Sequence, residues 1–568
     1  MLVSEYIVEF LRMSGTEHVF GYPGGMVTHL MDAFSRADGI TAHVNYHEQA
    51  SAFSACGYAS ASGKVGAAYA TSGPGATNLV TGIAEAYFDS VPVIFITGQV
   101  NTYEGKGDMA LRQKGFQETD IVSIVKPVTK MAEAVTDEKD IRYMLEKALY
   151  TATEGRKGPV LLDIPMNIQR SEINPDKLRG FDIPEKQDKE PDFKSVFDML
   201  NSAKRPCIIA GAGIKQTFTQ MDFLRFAEAM NIPVLTSMIA VDLLPADHPL
   251  NYGFIGAYGD RKANFIASKA DLILTLGTRL DVRQTGAKRE DFAVNARFIR
   301  FDTDVNEFEN KIHDDDLNIQ MNLETDMKKL ADSAIDINIG DYSDWLGVCD
   351  KIKRMLEGTV EKMYPEILMN KISESVPEDV TVTTDVGQNQ VWVSQHFKVK
   401  KGQNILFSGG MGAMGYSLPA SIGASLADSR KVICFCGDGG FMMNMQELQF
   451  ISRERLPIKI CVFNNNALGM IRHFQEMYFS SKYSQTVAEN GYTVPELKKI
   501  ADAFGIDYKC IYEQNQITDE LFSGDEPVLI EIVLPETTYV FPKLAVNKPI
   551  QDQEPPIDRE LYRQLDSL

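Results

Sequence analysis

The sequence predicts an α/β protein built as three parallel-sheet domains, and three observations carry that expectation. Short β-rich apolar runs alternate with helical patterns along most of the chain, which is the signature of βαβ units. A length of 568 residues exceeds what one core can organise and fits about three to four units. Two charged stretches, about 167–192 and 335–342, interrupt the alternation and are expected as linkers.

Composition narrows the function. Hydrophobic content of 44% with 24% charged residues is that of a folded globular protein, so extensive disorder is not expected. The formal charge of -21 argues against nucleic acid or an anionic membrane as partner, while leaving room for a local basic site. No apolar segment reaches the length of a membrane helix. The N-terminus, MLVSEYIVEFLRM, is acidic and amphipathic without a basic flank or cleavage site, and a cytoplasmic protein is expected. Of seven cysteines, Cys207, Cys434, Cys436 and Cys461 sit in strand-like runs, and none has CxxC spacing; they are expected as reduced core residues. The eight histidines form no HExxH or similar cluster, which speaks against zinc.

In the first domain, 1–168, strands are expected at 18–20, 44–46, 67–70, 91–97 and 160–163. The turn Gly21-Tyr22-Pro23-Gly24-Gly25 and the loop from Thr71 to Asn78 each follow a strand and lead toward a helix, where open parallel sheets bind ligands. Glu48 follows a strand at a helix start, and taken alone it reads as a first-turn acid favoured by the helix dipole.

The second domain, 193–333, has strand signals at 206–210, 234–236, 272–276 and 298–301. Its AGAGIKQ places Gly211 and Gly213 in a GxG, with Gln216 where a dinucleotide fingerprint needs a third glycine, so a Rossmann nicotinamide site is weakly supported.

The third domain, 345–545, opens with helices over 345–375, followed by strands at 380–384, 405–407, 432–436, 458–463 and 528–532. A glycine-rich loop with Gly409, Gly410, Gly412 and Gly415 precedes a small-residue helix. The tail, 546–568, is polar and proline-rich and could cover a site or be plain surface. The most informative stretch is 433–470. A buried strand breaks at Gly437-Asp438-Gly439-Gly440, where a turn is expected; a helix follows over about 442–453, then a second strand that ends in Asn464-Asn465-Asn466. Asp438 and Asn465 therefore stand beyond the carboxyl ends of two strands. A carboxylate, an amide oxygen and a loop carbonyl are hard ligands that suit magnesium shared with phosphate oxygens. The glycines let the backbone approach a diphosphate, whose charge a helix N-terminus favours.

GDG followed at this spacing by NN resembles the thiamin diphosphate motif of the thiamin-dependent decarboxylases and synthases. YPGG, then a glutamate before a helix, then SGPGATN, ITGQV, GFQETD and GPVLLDIP resemble, in that order, the first domain of acetolactate synthases, so the resemblance covers most of the chain. It implies that Asp438, Asn465 and the Ala467 carbonyl hold Mg2+. It places Pro23, Gly24, Thr71 and Asn78 on the pyrimidine side of the cofactor, and Gly387, Gln388, Gly412, Gly437, Gly439 and Gly440 on the diphosphate side, with Gly469 and Met470 beyond them. Met414 is implied as the apolar wedge that bends the cofactor, Glu48 as the partner of its pyrimidine nitrogen, and Gln117 as a further catalytic side chain.

The segments ADHPLNYGFIGAYG and LGTRLDVRQTG resemble FAD-binding parts of the same enzymes. They imply a flavin site from Gly211, Gly213, Ser237 and Gly256, with Gly277, Arg279, Asp281 and Arg283, and Arg156 from the first domain. The alternative is that these glycines only turn the domain. The implied reaction is decarboxylation of a 2-oxo acid, pyruvate first, with ligation to a second carbonyl compound. The implied minimum unit is a homodimer, with a dimer of dimers or a regulatory small subunit also open.

Three departures bear on the acceptor: Met166 where the family has lysine, Phe474 where it has tryptophan, and a longer segment 101–114. Arg283, implied to meet the acceptor's carboxylate, is retained. A relative acting on another ketone, such as a keto sugar, therefore stays open, as do more distantly a flavin oxidase and a cyclic-dione hydrolase. A non-catalytic scaffold is opposed by the intact Glu48, Asp438 and Asn465.

Overall fold

A computed structural model of the protein describes residues 1–185, 190–337 and 340–568. Parts of the two expected linkers, 186–189 and 338–339, lie outside the described residues.

The chain forms three six-stranded parallel sheets. The first contains β1 (His18–Gly21), β2 (Thr41–Val44), β3 (Gly66–Ala70), β4 (Val93–Gln99), β5 (Met131–Ala134) and β6 (Val160–Pro165), in the order β2-β1-β3-β4-β6-β5. The second contains β7 (Pro206–Ala210), β8 (Val234–Thr236), β9 (Asn251–Phe254), β10 (Leu272–Leu276), β11 (Arg297–Asp302) and β12 (Leu317–Gln320), in the order β12-β11-β10-β7-β8-β9. The third contains β13 (Val380–Thr384), β14 (Asn404–Phe407), β15 (Lys431–Gly437), β16 (Ile458–Asn464), β17 (Asp507–Ile511) and β18 (Val528–Val533), in the order β14-β13-β15-β16-β18-β17. Inner strands such as β7 and β10 are buried along their whole length, as parallel strands covered by helices on both faces must be.

The expected strands fall in these sheets with one displacement. The run at 44–46 is a strand that ends at Val44, because the Asn45 side chain and the Tyr46 amide leave it to donate to Glu447 at 2.9 and 2.8 Å. At 437–440 there is no separate turn. β15 runs directly into the helix Asp438–Asn444, a 3-10 turn Met445–Glu447 follows, and a second helix Leu448–Glu454 completes the segment.

Two expected boundaries move. The helix Ser343–Leu356 buries Trp345, Cys349 and Ile352 in the core of the central sheet, and the Trp345 indole donates to the Pro206 carbonyl at 2.9 Å. The tail is neither free surface nor a lid, since Ile550, Ile557 and Leu565 complete that same core. The buried Asn264 amide donates to the Ile550 carbonyl at 2.9 Å.

The first and third sheets share one apolar core. Between them, the helix Glu48–Ser62 lies against the helix Ser417–Asp428 at backbone contact. A Cβ at Gly57 would stand 2.2 Å from the Ala420 carbonyl oxygen, and one at Gly423 would stand 1.9 Å from that of Ser54. Only glycine permits this approach.

Candidate active site

The carboxyl ends of β15 and β16 bring Asp438 and Asn465 together, as their positions in the sequence predict. Asp438 starts its helix and is 2% exposed. Tyr492 donates its hydroxyl to Oδ1 at 2.7 Å, whereas Oδ2 is buried with no partner among the described residues. Burial raises the acid's pKa, and the Tyr492 hydroxyl with the amides of Gly439, Asn466 and Asn465 works against that rise. Asn465 gives its NH2 to Gln388 Oε1 at 3.1 Å and Thr538 Oγ1 at 2.8 Å, which turns its amide oxygen toward the Ala467 amide at 3.3 Å. A buried carboxylate oxygen without a donor, beside an oriented amide oxygen, is what a hard cation needs, so these residues fit magnesium.

Glycines let the elements at this end of the sheet pack closely. A Cβ at Gly469 would stand 2.0 Å from Gln388 Oε1, and one at Gly440 would stand 1.7 Å from Asp385 Oδ2. Gly387 and Gly412 have φ of 141° and 65°, the region that favours glycine. Gly437, the last residue of β15, is 3.4 Å by the same measure from Asn389 Oδ1, an ordinary contact. Met414 lies at this end of the sheet, since a Cβ at Gly439 would stand 3.2 Å from its Cε. Asp385, at the end of β13 and fully buried, accepts the amides of Gly415, Tyr416 and Ser417 at 2.9, 2.8 and 3.3 Å. Burial pushes its pKa up to about 7 despite those donors.

A second cluster lies at the carboxyl end of the first sheet. Glu48 is 8% exposed at its helix start, and Asn78 donates to its Oε2 at 3.0 Å. The Pro23-Gly24 turn after β1 leads to Met26, whose amide donates to Thr71 Oγ1 at 3.1 Å, and a Cβ at Gly24 would stand 2.4 Å from Thr71 Cβ. Gln117, at a φ of 63°, packs on Gly73. Glu48, Gln117, Thr71 and Asn78 are thus gathered around one strand-end loop. Glu447 ties this end to the third domain; it is fully buried, and desolvation raises its pKa to about 7.

The central sheet forms the wall of a cleft of about 1160 Å³, counting its open part, which Gly213, Ser237, Gly277, Arg279, Asp281 and Arg283 line together with Arg156. Gly211 and Gly256 do not line it. Their missing Cβ atoms would stand 2.2 Å from the Gly277 and Arg283 carbonyl oxygens, so they let the wall loops pack. Arg156 is not a free cation, because it pairs with Glu307 and with Asp304 at 3.3 Å and donates to Ser90 Oγ at 2.9 Å. Arg279 lies 4.0 Å from Asp281, and the Arg283 guanidinium stands 5.7 Å from the Tyr258 ring. Asp302, also in the cleft, is raised to about 6 by burial. Two guanidinium groups among close-packed glycine turns fit an elongated anion such as a dinucleotide.

Phe474 is 48% exposed on the helix Gly469–Tyr478 and packs on Tyr478 at 4.7 Å, while Met470 on the same helix lies half-buried against a separate core on the other face of the third sheet, with Phe435 and Phe463. Met166 starts a short helix after β6. Sequence reasoning missed Tyr492, Thr538 and Asp385. Only Asp385 had a readable signal, an acid at a strand end with a glycine, Gly387, two residues on.

Comparison with known proteins agrees with this geometry. Residues 1–124, 193–330 and 385–532 match, respectively, the N-terminal TPP binding domain, the central domain and the C-terminal TPP binding domain of the thiamine pyrophosphate enzymes. The chain is 35% identical to the acetolactate synthase large subunit of Lactococcus lactis, covering 95% of this chain and 94% of that one. It is 34% identical to the acetolactate synthase isozyme 2 large subunit of Escherichia coli, over 95% and 96%. It is 35% identical to the probable acetolactate synthase large subunit of Methanocaldococcus jannaschii, over 94% and 91%. With strand-end clusters on the first and third sheets and matches over all three domains, the chain belongs to the thiamine pyrophosphate enzyme family, in its acetolactate synthase-like branch.

Proposed function

We propose that the protein decarboxylates pyruvate and joins the two-carbon unit to a second 2-oxo acid, with thiamin diphosphate and Mg2+ at Asp438, Asn465 and Ala467. The observation that carries this reading is the Oδ2 of Asp438, buried and without a partner among the described residues, at the strand end next to the oriented amide of Asn465. When bound, thiamin diphosphate supplies the carbanion chemistry that amino-acid side chains lack. Asp438 and Asn465 hold the metal, and Gly439, Gly440 and Gly469 make room for the diphosphate. Met414 supplies the apolar wedge, and Glu48, oriented by Asn78, exchanges a proton with the pyrimidine ring. Gln117, packed against Gly73 of the loop that carries Thr71 and Asn78, acts as a further catalytic side chain. No side chain has to become covalent.

Finer features belong to the same proposal. Arg279 and Arg283 hold the diphosphate of FAD in the central cleft, with Arg283 reaching the acceptor's carboxylate from its rim. The Glu48 cluster of one subunit completes the Asp438 cluster of another, so the working unit is a homodimer or homotetramer in the cytoplasm. The relatives are large subunits by name, which supports a small regulatory partner here too.

A second reading, transfer to a bulkier neutral ketone, is favoured by one observation. Phe474, at 48% exposure, offers a smaller surface than tryptophan at the expected acceptor side. Mass spectrometry of the products from pyruvate, alone and with 2-oxobutyrate or a bulky neutral ketone, separates the two. Acetolactate from pyruvate alone supports the first reading, a product only with the neutral ketone supports the second, and no release of carbon dioxide overturns both.

A further inference from the structure

The loop 408–413 joins β14 to the helix that follows Met414, and the first domain of the same chain holds it. Asp89, just past the helix Val80–Phe88, accepts the amide of Gly409 through Oδ2 and that of Gly410 through Oδ1, both at 2.7 Å. Glu85, one turn earlier and 1% exposed, accepts the Ser408 hydroxyl at 2.7 Å. The same Ser408 oxygen accepts the Ala413 amide at 2.7 Å, one residue before Met414. Two acids from one domain therefore secure both ends of a loop in another.

The fit is specific to this loop. A Cβ at Gly410 would stand 2.6 Å from Phe88 Cβ, and one at Gly409 would stand 2.8 Å from Ile239 Cδ1 and 3.1 Å from Asp89 Oδ1. On the far side of Met414, Asp385 takes the next three amides. Met414 is thus suspended between an anchor in its own domain and one in the first domain. Burial and the Asp89 charge hold Glu85 in its neutral form, well above the usual carboxylate range.

We propose that Glu85 and Asp89 are positioning residues that act as one hydrogen-bonded bolt, locking the loop 408–413 so that Met414 stays set against the cofactor. The role rests on the thiamin diphosphate reading of the site, because Met414 matters only as the wedge. Neither acid touches the reacting atoms. Their effect reaches the chemistry through the loop backbone and reports how the first and third domains are seated.

The test uses the full chain, with and without thiamin diphosphate and Mg2+, and has two readouts. Amide hydrogen exchange of the peptide covering 408–414 reads the bolt directly. The rate of C2 proton exchange of bound cofactor reads its consequence. In Asp89→Ala and Glu85→Ala, the peptide should exchange about tenfold faster or more, the worth of one hydrogen bond to a charged or buried acceptor. C2 exchange and kcat should fall about tenfold, with KM for pyruvate little changed. Glu85→Gln can still accept from Ser408 through its amide oxygen, so it should restore both readouts. If Asp89→Ala does not fold, Asp89→Asn serves instead, since its amide can accept from only one of the two glycines. Unchanged protection of 408–414 overturns the bolt, and a loosened loop with C2 exchange at the wild-type rate overturns the positioning role. Wild-type protein that binds no thiamin diphosphate would defeat the reading of the site instead, leaving peptide exchange to decide the bolt alone.

Discussion

Asp438→Asn should change stability and cofactor binding in opposite directions. The carboxylate is 2% exposed, one oxygen is satisfied by Tyr492, and the other has no partner among the described residues. An unsatisfied buried polar atom costs about 1–3 kcal/mol, more when charged, and asparagine removes the charge while its oxygen still accepts from Tyr492. The folded pKa of Asp438 is raised from 3.8. The unfolded chain therefore loses the proton first, and the penalty on the native acid grows as pH rises through the unfolded value toward the folded one. At neutral pH the cofactor-free Asn variant should be more stable than wild type by about 1–3 kcal/mol, and below about pH 3.8 the advantage should vanish. Losing the charged ligand should weaken thiamin diphosphate binding in Mg2+ by about 10- to 150-fold, the equivalent of about 1.5–3 kcal/mol. Urea unfolding of the apo-protein at several pH values and calorimetric titration of the cofactor read the two halves. An apo variant less stable than wild type at pH 7, or one that binds cofactor as tightly, would refute the reasoning.

Other perturbations test other parts of the site. Glu48→Gln keeps shape but weakens proton exchange with the pyrimidine, so C2 deuterium exchange of bound cofactor should slow by about a hundredfold; the wild-type rate would leave Glu48 as a helix-start acid. Phe474→Trp should shift products toward small 2-oxo acids by the ~1–3 kcal/mol that a pocket wall can discriminate, and Arg283→Ala should lose carboxylate-bearing acceptors while sparing neutral ones; the product ratio in a competition of ketones measures both. Purified protein should carry FAD or take it up, and Arg279→Ala should weaken that uptake about tenfold or more, read by flavin fluorescence. Gly423→Ala places a methyl 1.9 Å from a backbone oxygen, and calorimetry should show a lower melting temperature from an overpacking cost of ~1–3 kcal/mol or more.

What the sequence disclosed and what it hid have one physical cause. The inner strands were visible because burial on both faces demands an unbroken apolar run, as in LILTL of β10. The strands that escaped notice, β5, β9, β12 and β17, all lie at sheet edges. Their residues alternate or are half-exposed, as in LNIQ and DYKCI, and such segments read as loops. Asp438 and Asn465 were legible because each ends a strand within one βαβ unit. Tyr492 and Thr538, which complete their hydrogen bonds, come from segments far along the chain, and spacing could not place them. Nor could it show that Arg156 is spoken for by Asp304 and Glu307, or that Gly211 and Gly256 let the wall loops pack.

The returning segment 546–568 has a consequence for how the chain is made. Ile550, Ile557 and Leu565 belong to the same core as Val196, Leu272 and Trp345, so that core is not complete until residue 565 has left the ribosome. Nascent domains otherwise close in order of synthesis, the first ahead of the second. Here the middle sheet has to wait, its apolar face uncovered, while the third is translated. Premature termination near residue 545 would leave a gap in the middle of the protein instead of at its end.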